Sequence, residues 1–308
     1  VAATPVAPAP VTPATPVAPV QAPITTSQPH THSFIPQRQD PYGPRFVTNR
    51  QEKRCRVICL SNQKGGVAKT TTTMNLGAAL TEMGHKVLVI DLDPQSNLTM
   101  SFGIDVEALT KSIFDVLVHS YPIEHIIQKT PECDIAVASI DLAGAELALS
   151  SMIGRERTLE KAISSVKNDY DYILIDTPPS LGLLTINAFT ASDEVIVPVQ
   201  AEYLSLRGLV QLDNTLQVIR EHLNPKVHIS GVLLTMYDGR TLHSREATEL
   251  LQKTYADRVL NTRIRKTIRL AEAPVQGSSV LTYESNGTAA AQYRELAQEV
   301  VSRVEQAV

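Results

Sequence analysis

One stretch constrains this chain more than any other: Ser61-Asn62-Gln63-Lys64-Gly65-Gly66-Val67-Ala68-Lys69-Thr70-Thr71-Thr72. A short apolar run of strand length, Cys55 to Leu60, leads into it, and a helix-like run, Met74 to Leu80, follows. Strand, glycine-rich turn, Lys-Thr and helix is the setting of a phosphate-binding loop. Gly65 and Gly66 let successive backbone N–H groups curl around a phosphate, and the new helix adds the positive end of its dipole. Val67, Ala68 and Thr71 complete the cradle. Lys69 supplies a charge for the β- and γ-phosphates of ATP, and Thr70 a hydroxyl for Mg²⁺. Gln63 and Ala68 stand where the common pattern has glycine, and an extra lysine, Lys64, opens the loop, so this is a deviant form. A Gly-Gly turn with incidental lysines would not need the strand before it or the helix after it.

Beyond Leu60, strand-like and helix-like segments alternate. Val87-Leu88-Val89-Ile90 and Tyr172-Ile173-Leu174-Ile175 are continuous apolar runs, as expected of strands buried on both faces. Further strands are predicted at 134–138, 194–199 and 229–235. Helices are predicted over 109–118, 123–127, 142–149, 158–166, 183–189, 206–222, 244–255 and 289–304. This alternation predicts an α/β fold: a mainly parallel twisted sheet with helices on both faces. In such sheets ligands sit beyond the carboxyl ends of the strands. Asp91, Asp93 and Asp176 all stand at strand ends and should meet the loop there. Asp176 follows four apolar residues and suits Mg²⁺ through its water shell. Asp93 suits the positioning of a water for in-line attack. Asp91 fits either a turn or a place beside the metal and loop.

Residues 1–52 form a separate regime. Eleven of the 19 prolines fall between Pro5 and Pro44, mixed with Ala, Val and Thr. That composition predicts a disordered, extended tail, with one domain over 53–308. No apolar run reaches about 18 residues, so no membrane span is expected, and no basic segment leads into an apolar core as in a secretory leader. Three cysteines, two of them in one strand, suit reduced thiols in a cytoplasmic protein. The net charge of −4 places any nucleic-acid contact on a local patch.

Lys64-Gly65-Gly66-Val67-Ala68-Lys69-Thr70-Thr71, Asp91-Leu92-Asp93-Pro94-Gln95 and Asp176-Thr177-Pro178-Pro179-Ser180 together resemble the ParA/Soj family of chromosome and plasmid partitioning ATPases. The likeness continues through Leu142 to Glu146, Thr185 to Ala188, Pro198 to Tyr203, Leu233 to Thr241 and Arg269 to Pro274, covering nearly all of residues 55–304.

The resemblance implies a P-loop NTPase that uses ATP and Mg²⁺ and forms a homodimer on ATP binding. Lys64 would reach the partner's phosphates, Lys69 would bind those of its own subunit, and Met236 would line the nucleotide site. The dimer would bind double-stranded DNA without sequence preference, on the nucleoid, until a ParB-like activator stimulates hydrolysis. Arg240 and Arg269 stand where arginines of the family contact DNA, with Arg265 and Lys266 beside them. Glycine is usual in the family at position 68 and frequent at 96. Ala68 is expected to leave binding intact, with slow turnover, and to carry strain only if its φ is positive. A nucleoid-bound relative that positions a cargo other than DNA is the nearest rival. A MinD-like membrane ATPase would need a basic amphipathic carboxy-terminal helix, whereas 295–308 reads as a core-packing helix. An iron–sulfur reductase would need interface cysteines. A small-molecule ligase or kinase on the same fold is disfavoured by the segment from Thr235 to Pro274.

Overall fold

The computed structural model describes residues 55–202 and 205–305. The predicted tail over 1–52 lies outside the described residues. The strands are β1 (Arg56–Leu60), β2 (Val87–Asp91), β3 (Ile127–Gln128), β4 (Asp134–Ala136), β5 (Tyr172–Asp176), β6 (Glu194–Gln200), β7 (His228–Tyr237) and β8 (Val259–Arg265). They form one sheet in the order β3-β4-β2-β5-β1-β6-β7-β8. Every pairing is parallel except β3 with β4. The predicted mainly parallel α/β sheet is therefore what forms.

The helices are α1 (Lys69–Glu82), α2 (Asn97–Ser101), α3 (Ile113–His119), α4 (Ala145–Ser150), α5 (Thr158–Ile163), α6 (Leu183–Ala191), α7 (Ser205–His222), α8 (Leu242–Tyr255), α9 (Arg269–Glu272), α10 (Val280–Tyr283) and α11 (Thr288–Glu305). β1, β2 and β5 are buried almost throughout, as central strands covered on both faces must be. α1 packs against α11, and α5, α6 and α7 pack in succession. Ala289, Ala290, Tyr293, Leu296, Ala297 and Val300 are buried, so the last helix is a core helix as expected.

Local chemistry moves some boundaries. The helix predicted from Leu109 begins at Ile113, because Ser112 and Asp115 close a reciprocal capping box there. The helix predicted over 123–127 is one 3₁₀ turn, Ile123–His125, and then the chain enters β3. β8 was not expected, since its residues read as part of a basic run. Its Leu260, Thr262 and Ile264 face inward while Asn261 and Arg265 are exposed.

Register puts the site together. Leu60 lies opposite Asp176, and Asp176 opposite Asp91. The strand that launches the loop and the two strands ending in aspartate thus finish at one level.

Candidate active site

The loop from Ser61 to Ala68 is fastened at both ends. The Asn62 side chain donates to the Pro198 carbonyl at 2.7 Å and accepts from the Lys64 N–H at 2.9 Å. Thr235, at the end of β7, donates to the Val67 carbonyl at 3.0 Å. At Gly65 and Gly66 an added Cβ would meet no atom within 4 Å, and Gly66 has φ +71°. Gly65 and Gly66 are exposed, so their backbone is open to an incoming ligand.

Ala68 also has positive φ, +65°, with ψ 36°. The condition for strain is met, because an L residue in this region brings its Cβ against the carbonyl. Ser96 (φ +52°) and Met236 (φ +50°) share this conformation.

Lys69 is the first residue of α1 and is only 7% exposed. Burial lowers its pKa, opposed by the charges of Asp176 and Asp93. Asp176 is fully buried, and burial first, then the neighbouring Asp91, holds its carboxyl well above the usual range. The Thr70 hydroxyl and the Lys69 charge oppose that shift. Thr73 lies one helical turn beyond Lys69; it donates to the Lys69 carbonyl at 3.1 Å and to Asp176 Oδ1 at 3.4 Å. Asp176 Oδ2 is buried and has no hydrogen-bond partner.

Asp91 is held at the turn after β2. Its Oδ2 accepts from the Thr99 N–H and hydroxyl at 2.8 and 2.7 Å, and its Oδ1 from the Asp93 N–H at 3.2 Å. Thr99 in turn accepts from the Ala138 N–H at 3.0 Å. Burial pushes Asp91 up to about 6 despite these bonds. Asp93 is 9% exposed, and its Oδ1 accepts from the Gln95 N–H at 3.0 Å.

The Lys64 side chain reaches the residues at the end of β6. Its ammonium is 2.6 Å from Glu202 Oε2 and 3.0 Å from Gln200 Oε1, and both charged side chains are nearly half exposed. Such a pair contributes at most about 1 kcal/mol, so it yields readily to a stronger anion. Gln200 also donates to the Met236 sulfur at 3.4 Å, which ties Met236 to the same edge.

The basic residues split. Arg240 holds Asp238 through two bonds of 2.9 and 2.8 Å, and these bonds, with the charges of Arg240 and Arg265, lower Asp238 to about 2. Arg240 and Arg265 therefore flank one carboxylate. Arg269 is paired with Glu272 at 2.9 Å and with Glu284 at 3.1 Å. Lys266 is exposed, and Arg263 is stacked on Tyr237, 4.8 Å from the ring centroid. Sequence reasoning did not single out Thr73, Thr99, Thr235 or Glu202. The i+4 spacing of Thr73 from Lys69 was a usable signal; Glu202 meets Lys64 only through the adjacency of β1 and β6.

This arrangement defines a class: a nucleotide-binding α/β protein with a phosphate loop at the strand ends of a parallel sheet. A family described as an AAA domain matches residues 55–229. Bacillus subtilis Soj, named a sporulation initiation inhibitor protein, is 46% identical over 249 residues, spanning 80% of this chain and 98% of that one. The chromosome partitioning protein ParA of Caulobacter vibrioides is 41% identical over 252 residues, spanning 80% and 94%. Among solved structures, a Mycobacterium smegmatis protein named cobyrinic acid a,c-diamide synthase, with bound ADP and magnesium, matches at 39% identity and TM-score 0.73, covering 82% of this chain and 97% of that one. The chain belongs to the ParA/Soj family of partitioning ATPases.

Proposed function

We propose that this chain hydrolyses ATP as the switch of a DNA-partitioning system. Residues 53–308 act as the ATPase domain, with 1–52 as a tail. The observation that carries the reading is the strand-end rim. Gly65 and Gly66 are exposed, the buried Lys69 acts by its charge on Asp176, and Asp176 Oδ2 has no hydrogen-bond partner although the Thr70 and Thr73 hydroxyls lie by the carboxylate. An orphaned carboxylate oxygen beside a hydroxyl fits a hard cation. No three His, Cys, Asp or Glu side chains among the described residues form a metal cage. The fit is therefore to Mg²⁺ shared with phosphate oxygens, held by Thr70 and by Asp176 through water. Bound there, Mg²⁺ would neutralise charge on the phosphates.

The chain's own groups do the rest. Backbone N–H groups of residues 65–71 bind phosphate oxygens, Lys69 adds charge, and Met236 lines the site. Asp93 accepts the proton of the attacking water. Lys64 leaves Glu202 for the phosphates of a second subunit, so ATP favours a homodimer. The dimer presents Arg240, Arg265, Lys266 and Arg269 to DNA phosphates. The pairing of Arg269 with Glu272 and Glu284 competes with a DNA phosphate for its guanidinium. A ParB-like partner stimulates hydrolysis and returns the monomer. The site of action is the nucleoid in the cytoplasm; among the described residues no helix is long and apolar enough to cross a membrane.

The test is duplex DNA binding with no nucleotide, ADP, ATP or a non-hydrolysable analogue, at two salt concentrations. ATP-dependent, salt-sensitive binding to arbitrary sequence supports the reading. Absence of DNA binding in every state sinks it. The name of the M. smegmatis protein favours a second reading, amide synthesis. Cys55, Cys59 and Cys133 are buried and their thiols are raised by burial, which counts against a thiol-dependent release of ammonia from a donor amide by these residues.

A further inference from the structure

Among the described residues, the buried side-chain atoms without a hydrogen-bond partner are Gln63 Nε2, Ser96 Oγ and Asp176 Oδ2. All belong to segments at the carboxyl ends of β1, β2 and β5, which are neighbours in the sheet. Their chemistry is complementary to one ligand. Asp176 Oδ2 is an acceptor that suits a cation. Gln63 Nε2 is a donor, and Ser96 Oγ has a proton to donate. Phosphate oxygens only accept.

Ser96 is the unexpected member. It is 3% exposed. It precedes α2, where a serine usually accepts a hydrogen bond from the helix, yet its side chain makes no capping bond. Its backbone is left-handed at φ +52°. A glycine there would avoid both the strain and the unmatched hydroxyl. The residue also closes the turn that carries Asp93, since the Ser96 N–H donates to the Asp93 carbonyl at 2.9 Å.

We propose that the Ser96 hydroxyl is a further nucleotide-contacting group, donating a hydrogen bond to the terminal phosphate of bound ATP. This rests on the ATPase reading. One short turn then carries both polar roles: Asp93 accepts from the water, and Ser96 donates to the phosphate that the water attacks. The contact exists with ATP and is lost with ADP, so Ser96 contributes to telling the two apart.

The test compares the full-length parent, Ser96→Gly and Ser96→Ala for affinity toward ADP and a non-hydrolysable ATP analogue, both with Mg²⁺. Glycine removes the hydroxyl and the strain together, while alanine removes the hydroxyl alone. Both variants should bind ADP as the parent does. Both should lose roughly tenfold in the preference for the ATP analogue, the loss expected of one hydrogen bond to a charged group. Equal analogue-to-ADP ratios in the parent and in Ser96→Gly would overturn the proposal and leave Ser96 as packing. Ser96→Gly relieves strain, so the comparison survives even if Ser96→Ala folds poorly. A parent that binds neither nucleotide would instead overturn the ATPase reading.

Discussion

Ala68→Gly should stabilise this protein. The left-handed backbone at φ +65° costs an L residue about 1–2 kcal/mol. Glycine removes that cost but enlarges the unfolded ensemble, which takes back about 0.4–1 kcal/mol. The net gain is roughly 0.5–1 kcal/mol, or a rise in Tm of about 1–4 °C for a domain of this size. The assay is thermal unfolding without nucleotide, where no ligand linkage adds to the shift. Ala68→Val serves as the opposite control. A β-branched side chain fits this region worse than alanine, so Tm should fall. Nucleotide affinity should change by less than about twofold in Ala68→Gly, because the backbone N–H is present in both forms. Turnover should not fall. An unchanged or lower Tm in Ala68→Gly would refute the reasoning: either the methyl group packs well enough to offset the strain, or the loop in solution is not left-handed at Ala68.

Asp93→Asn should keep nucleotide binding and lose about 10²–10⁴-fold in single-turnover phosphate release, and normal hydrolysis would remove Asp93 from the water-positioning role. Lys69→Ala should abolish binding of a fluorescent nucleotide; retained affinity would mean the loop binds without it. Arg240→Ala and Arg269→Ala should each weaken DNA binding by the ATP state and flatten its salt dependence by about one unit of slope, with dimer formation intact by light scattering. The Asp91 carboxyl, raised to about 6 by burial, holds its proton more tightly folded than unfolded. Its stabilising contribution is present below about pH 4 and lost as pH rises through 6, on the order of 3 kcal/mol. Denaturant unfolding of the nucleotide-free chain at pH 4 and 7 should show that loss, and Asp91→Asn should reduce it.

The central strands and their terminal aspartates were legible because β2 and β5 are buried on both faces, so a local run of apolar residues ending in Asp describes each completely. β8 was hidden because only the docking of α11 decides that Leu260, Thr262 and Ile264 face inward between exposed polar residues. The bonds of Thr99 to the Asp91 carboxylate close a turn that no local pattern announces. The partner of Lys64 lies 138 residues away and becomes a neighbour only when β1 pairs with β6. Backbone torsions at the rim follow the same logic. Of the non-glycine residues with positive φ, Ser120 and Ala256 follow helix carboxyl ends, where the chain commonly leaves the helical region. Ala68 and Ser96 follow the ends of β1 and β2, and Met236 is the penultimate residue of β7, so none of them falls under that rule. Strained positions persist only where their surroundings over-determine them. Here Thr235 grips the loop beside Ala68, the Asp93 carbonyl grips Ser96, and Gln200 grips Met236. At Ala68 and Met236 local propensity therefore loses to contacts that span 168 and 36 positions, which a reading of neighbouring residues alone could not supply, whereas Ser96 is held by its own turn.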